Sequence, residues 1–153
     1  MEYGEISAQE VSKLKQCVEE LSEYHNSVST YHSGMYPGKP SWQTIEQFQK
    51  MVKAGEAKIY ACIDKSMVIG FCKIDIRADI YDTQGKLDYL FVRKEYRKQG
   101  IGENLMNWAM KSFKQYDVTK IELKVVEGNP AIHFYEKYGF TMNAHIMWRI
   151  SNV

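Results

Sequence analysis

The segment Leu87–Gly102, LDYLFVRKEYRKQGIG, constrains the fold more than any other stretch of the chain. Leu87, Tyr89, Leu90, Phe91 and Val92 have strand character. A basic turn then closes on Arg97-Lys98-Gln99-Gly100-Ile101-Gly102, where an amphipathic helix begins. A strand that feeds a glycine-punctuated loop at a helix N-terminus is a site for an anion. The first helical N–H groups lack intrahelical partners, the helix dipole adds positive potential, and glycine lets a ligand approach the backbone. Arg93, Lys94, Arg97 and Lys98 strengthen the field. A phosphate-bearing ligand follows from this arrangement.

The remaining chain reads as alternating elements. Residues 1–6 form a short strand, and Ser7 or Ser12 caps a helix over about 9–25 whose face is Val11, Leu14, Val18 and Leu21. The Gly-, Pro- and aromatic-rich stretch 31–42 is a loop. A second helix starts at Ser41 or Thr44, with Thr44 and Gln47 spaced as a capping box, and ends at Gly55. Segments 57–64 and 67–76 form a hairpin around Lys65-Ser66. Residues 79–86 read as a polar connection before the strand at 87–92, and 120–127 alternates as a further strand. Asn129 and Pro130 supply a cap and a first helical residue for a helix that stops at Gly139, and 141–150 reads as a last strand. The order is β-α-α-β-β-β-α-β-α-β. The hairpin favours antiparallel pairing, while the helix between strands 87–92 and 120–127 makes those two parallel neighbours. The expected fold is therefore mixed α/β (α+β), with a mostly antiparallel sheet flanked by helices.

Composition narrows the function. The chain has 153 residues, 44% of them hydrophobic, enough for one domain (1–153) with a proper core. Twenty basic residues against nineteen acidic ones give no reason to expect a nucleic-acid-binding protein, so the cations at 93–98 are a local feature. Cys17, Cys62 and Cys72 form no C-x-x-C pair, and no His, Cys or Asp cluster has metal spacing. Reduced thiols, the absence of a signal-peptide pattern and the lack of a ~20-residue apolar run point to a cytoplasmic, membrane-free protein.

The glycine loop is neither a nucleotide P-loop nor a Rossmann fingerprint, since G-x-x-x-x-G-K-[ST] and a third glycine after Gly102 are both missing. Further on comes Asn129-Pro130-Ala131-Ile132-His133-Phe134-Tyr135-Glu136-Lys137-Tyr138-Gly139-Phe140. Together, R-K-Q-G-I-G and N-P-A-I-H-F-Y-E-K-Y-G-F resemble the GNAT superfamily of acetyl-CoA-dependent N-acetyltransferases. The first matches its [RQ]-x-x-G-x-[GA] loop and the second its A-x-x-[LF]-Y-E-K-x-G-F segment. The likeness is sharp over 85–140 and follows element order across almost the whole chain.

The resemblance implies a fold with a splayed pair of parallel central strands, and it implies acetyl-CoA as co-substrate with no metal. In it the amides of Gln99, Gly100, Ile101 and Gly102 hold the CoA pyrophosphate, assisted by Arg97 and Lys98. The backbone of Leu90, Phe91 and Val92 bonds the pantetheine arm, and Tyr135 is the general acid for the leaving thiolate. Asn129 stands six residues before Tyr135, where the family's CoA-contacting asparagine often stands seven before, so it is a CoA contact or a helix cap. Asp88 occupies the position of a family glutamate that works through water, with substrate contact as its other reading and Glu122 as the reserve base. Tyr31, Tyr36 and Trp42 are candidates for an aromatic acceptor wall, and His25 and His32 lie nearby in sequence. The implied reaction is direct acetyl transfer to a primary amine of a small molecule. Transfer to a protein lysine or N-terminal amine, and a non-catalytic acyl-CoA sensor, are the alternatives. The last strand or a sheet edge offers a place for a homodimer.

Overall fold

The computed structural model describes residues 1–151. A five-stranded sheet of β1 (Glu2–Glu5), β2 (Ala57–Asp64), β3 (Met67–Ala78), β4 (Thr83–Val92) and β5 (Lys120–Glu122) runs in chain order, antiparallel throughout except for the β4–β5 pair. One face carries α1 (Lys15–Val28) and α2 (Ser41–Lys53), and the other carries α3 (Ile101–Gln115) and α4 (Ile132–Lys137). Alternation along the strands sorts the core accordingly. Ile59, Phe71 and Phe91 pack with Leu14, Val18 and Phe48, while Cys72, Ile74 and Leu87 pack with Ile101, Leu105 and Phe113.

Local chemistry explains the joints. Ser7 opens a 3-10 segment (Ala8–Leu14) that runs into α1, and Glu10 reaches back to accept its N–H at 3.0 Å. The hairpin turn holds Lys65 and Ser66 at φ of 51° and 67°, the left-handed pair that a two-residue primed turn needs. The three cysteines are free and buried, Cys62 and Cys72 inside strands and Cys17 in α1.

Four readings of the sequence need correction. The second helix takes the first of its two expected starts, Ser41 after Pro40, so the capping box fails: Thr44 is buried within its first turns and forms no box with Gln47. β4 begins at Thr83, four residues before Leu87. Gly85, read as part of a turn, lies inside that strand because Phe113 needs the space: a Cβ there would stand 2.6 Å from its ring. The strand at 120–127 shortens to Lys120–Glu122, since the chain then bends away from β4. Residues 141–150 form no strand, for no neighbouring strand offers them hydrogen bonds; they lie on the surface, where Trp148 packs its ring against His32 and Tyr36. Among the described residues, no helix is long and apolar enough to cross a membrane.

Candidate active site

The β4–β5 pairing consists of Gln84–Lys120, Gly85–Ile121 and Lys86–Glu122, and then ends although β4 continues to Val92. The two chains diverge around a cavity of about 630 Å³, walled by β4, the 96–102 loop, the start of α3, residues after β5, α4 and the end of α1. The sheet register fixes which backbone groups face it. The Arg93 N–H donates to the Ile69 carbonyl at 2.8 Å, so Arg93 and Phe91 turn their amides toward β3. By the antiparallel alternation, Leu90 and Val92 direct their N–H and C=O groups into the opening. The Val92 carbonyl there accepts a hydrogen bond from Arg97 Nε at 2.9 Å.

At the mouth, Lys98 (φ 65°) and Gly100 (φ 79°) turn the loop left-handed, and Gly100 is the residue that opens α3. The first-turn amides of α3 therefore point out of the helix beside the cavity, together with Arg97 and Lys98. Gln99 is exposed and lies outside the lining. Gly102 faces α4, where an added Cβ would meet the Phe134 ring at 3.9 Å. Arg93, one of the four cations of this region, is committed elsewhere: its guanidinium grips Glu20 at 2.8 and 3.1 Å.

Across the cavity stand Tyr135 and Asn129. Burial, reinforced by the neighbouring Tyr24 hydroxyl, pushes the Tyr135 phenol up to about 12. It thus stays protonated at any ordinary pH. Asn129 Oδ1 accepts from the Ala131 N–H at 3.0 Å, closing the turn before α4, and from the Tyr24 hydroxyl at 3.3 Å. The helix itself starts two residues later than expected, at Ile132 with Ala131 in the cap position, so Asn129 is part of the cavity wall and of the preceding turn and not the cap.

Asp88 sits at a β-bulge. Lys73 pairs with Tyr89 and Ile74 with Leu87, leaving Asp88 as the extra residue. The bulge turns Asp88 and Tyr89 to the same side, toward α2. There Lys73, with no exposed surface, donates to Asp88 Oδ2 at 2.7 Å and to Asp75 Oδ1 at 2.6 Å. Lys86 stands 3.4 Å from the other Asp88 oxygen. Both oxygens of this cavity-lining carboxylate therefore already face ammonium groups. Burial raises the Asp75 pKa against the lowering effect of Lys73. Glu122 is exposed and outside the lining.

The aromatic candidates separate. Tyr36 packs edge-on to His25 at 5.3 Å and near Trp148 at 5.9 Å, whereas Tyr31 and Trp42 project into solvent. Two groups that shape the site carried no signal in the sequence. Glu127 accepts from Ser29 Oγ, Thr30 N–H and Tyr31 N–H at 2.6–2.9 Å, tying the chain after β5 to the end of α1. Lys73 reads as an ordinary polar strand residue. His25, which lines the cavity, was visible only by its position near the 31–42 loop.

A parallel strand pair opened beside a glycine loop, with its cavity closed by helices from both faces, defines an α/β domain of the acyltransferase class. The chain belongs to the acetyltransferase (GNAT) family, whose family model matches residues 18–140. No curated protein matches it significantly. Among solved structures, the tetramutant of the BH1408 protein from Bacillus halodurans is similar at TM-score 0.79 and 18% identity, over 98% of this chain and 99% of that one. A predicted acetyltransferase with acetyl-CoA from Clostridium acetobutylicum aligns at TM-score 0.72 and 14% identity, over 97% and 95%. A ribosomal-protein-alanine N-acetyltransferase from Brucella melitensis biovar Abortus aligns at TM-score 0.68 and 11% identity, over 98% and 100%. At these identities the likeness is one of fold.

Proposed function

We propose that this protein transfers the acetyl group of acetyl-CoA to a primary amine of a small molecule by direct attack. One observation carries the reading: the backbone of Leu90 and Val92 turns groups that no strand pairs into a gap whose mouth is the Lys98–Gly102 loop. The gap suits an extended, amide-bearing arm, and the loop suits a pyrophosphate at the end of that arm. The residues present fit acetyl-CoA, which supplies an activated thioester. The amides of Gly100, Ile101 and Gly102, with Arg97 and Lys98, hold its phosphates. The Val92 carbonyl has a second lone pair for the arm, and Arg97 spends only its Nε–H on that carbonyl, which leaves the other guanidinium N–H groups for a phosphate. An N–H of β4 in the opening polarises the thioester carbonyl.

Tyr135 is the acid. Its phenol, held protonated by burial, gives its proton to the departing sulfur, whose conjugate acid has a pKa of ~8.5. Asp88 offers a carboxylate in the wall toward which an acceptor ammonium is drawn. With its two oxygens already shared by Lys73 and Lys86, charge contact suits it better than proton abstraction. The activity is tested by CoA release from acetyl-CoA, followed with a thiol reagent, across polyamines, amino acids, aminoglycosides and lysine peptides. Amine-dependent release with a small amine supports the reading. Release with peptides alone points to a protein acceptor, and tight acetyl-CoA binding without release to any amine points to a sensor.

A further inference from the structure

An amine with pKa ~10 reaches the cavity as an ammonium and must lose a proton before it can attack. The carboxylates nearest to hand serve this poorly, because Asp88 is shared by two lysines, Glu103 stands in the first turn of α3 at the phosphate-loop end, and Glu122 lies outside the cavity. We propose that His25, at the end of α1, is a catalytic residue that accepts this proton. The proposal rests on the acetyl-transfer reading above.

Three observations carry it. His25 lines the same cavity as Leu90 and Tyr135, so imidazole, acid and the unpaired β4 backbone border one space. Neither ring nitrogen takes part in a hydrogen bond or ion pair, and among the described residues no unpartnered side-chain nitrogen or oxygen is sealed from solvent. The nitrogens are therefore both accessible and uncommitted. Finally, Tyr36, which does not line the cavity, packs edge-on against the ring at 5.3 Å and is itself packed by Trp148 at 5.9 Å, restricting the imidazole plane.

Burial lowers the His25 pKa below its usual 6.5, and no charge opposes that shift. The charged groups around the cavity are Lys86 and Asp88 of β4, Arg97 and Lys98 of the loop, Glu103 of α3 and Lys124 after β5, and none of them bonds to the ring. The imidazole is thus neutral at neutral pH, ready to take a proton. The balance is simple. One ammonium proton passes to an imidazole nitrogen, and the freed electron pair forms the C–N bond as the C–S bond breaks. The sulfur leaves with the Tyr135 proton, the second nitrogen proton restores the phenol through water, and the imidazolium returns its proton to solvent.

The test compares wild type, His25→Gln and His25→Ala in acetyl-CoA turnover from pH 5 to 10, with spermidine and tyramine as probe amines. Acetyl-CoA binding by calorimetry is the control for folding. The expected result is a loss of about a hundredfold in kcat/KM for the amine at neutral pH. The acid-side break below pH 6.5 should vanish in His25→Gln, and added imidazole should restore rate to His25→Ala. Variants that bind acetyl-CoA and keep the wild-type rate and pH profile overturn the assignment to His25 alone. Wild-type protein that binds acetyl-CoA but releases CoA with neither of these amines nor any other member of the panel above counts against the enzyme reading, and the His25 assignment falls with it.

Discussion

The ammonium of Lys73 lies 2.7 Å from Asp88 Oδ2, and no part of Lys73 reaches solvent. Asp75 holds the same ammonium at 2.6 Å, so one buried cation serves two carboxylates on neighbouring strands. Removing it leaves two half-buried acids with only the partly exposed Lys86 between them and water. Lys73→Met should therefore lower unfolding stability by about 3–5 kcal/mol in urea titration. A loss under about 1 kcal/mol would mean that the acids relax into solvent at little cost.

A long side chain on the loop that opens α3 would occupy the open space in which the proposed pyrophosphate lies. Gly100→Arg must also adopt φ 79°, at a strain cost of about 1–3 kcal/mol, whereas Gly102→Arg starts from a helical position. Both variants should lose acetyl-CoA binding by calorimetry. Wild-type affinity in Gly102→Arg would remove the loop from the ligand site.

For Tyr135→Phe the expectation is a fall in turnover of about a hundredfold with acetyl-CoA affinity little changed. Since burial raises the wild-type phenol to about 12, its ionisation should contribute no alkaline decline below pH 10. A wild-type rate in the variant at every pH would take Tyr135 out of the mechanism.

Glu127 carries a pKa below the usual carboxylate range, first through the Ser29 hydroxyl and then through the Tyr31 and Thr30 amides. A folded pKa that lies below the unfolded one contributes stability above the unfolded value, and that contribution disappears as pH falls through the folded value. Hydrogen-exchange protection at Thr30 and Tyr31, relative to the intrinsic rate at each pH, should fall on acidification below about pH 4.5, and Glu127→Gln should show the low protection already at neutral pH. Equal protection in the two proteins would show that the carboxylate does not hold this loop.

Gly128 packs where no side chain fits. A Cβ there would stand 2.1 Å from the Val28 carbonyl oxygen, at φ 85°. Gly128→Ala should cost at least ~2 kcal/mol in denaturant unfolding and weaken the closure between α1 and the chain before α4. An unchanged midpoint would show that the backbone there shifts freely.

What the sequence made legible was what repeats locally. The apolar spacing of Leu105, Ala109 and Phe113, the turn at Lys65-Ser66 and the glycines at 100 and 102 each act within a few residues, so the hairpin, α3 and the glycine loop that opens it could be read directly. Gly85 misled because a glycine that makes room for an aromatic ring looks, in sequence, like one that makes a turn. Residues 141–150 misled in the opposite sense, since an alternating pattern is no strand without a neighbour to bond. The cavity wall was harder still. The partnership of Lys73 with Asp88 depends on a bulge in β4, and the place of His25 on how α1 lies over the sheet, neither of which any spacing records.

The three-rung contact between β4 and β5 also bears on strand-to-strand aggregation. Unpaired strand edges recruit other chains and seed aggregates. The outermost strands here, β1 and β5, span four and three residues, too short to serve as templates. The open edge of β4 beyond Lys86 is turned inward, roofed by α1 on one face and by α3 and α4 on the other. The molecule thus hides its most adhesive stretch of backbone in its interior, reachable by a slender chain and closed to another sheet.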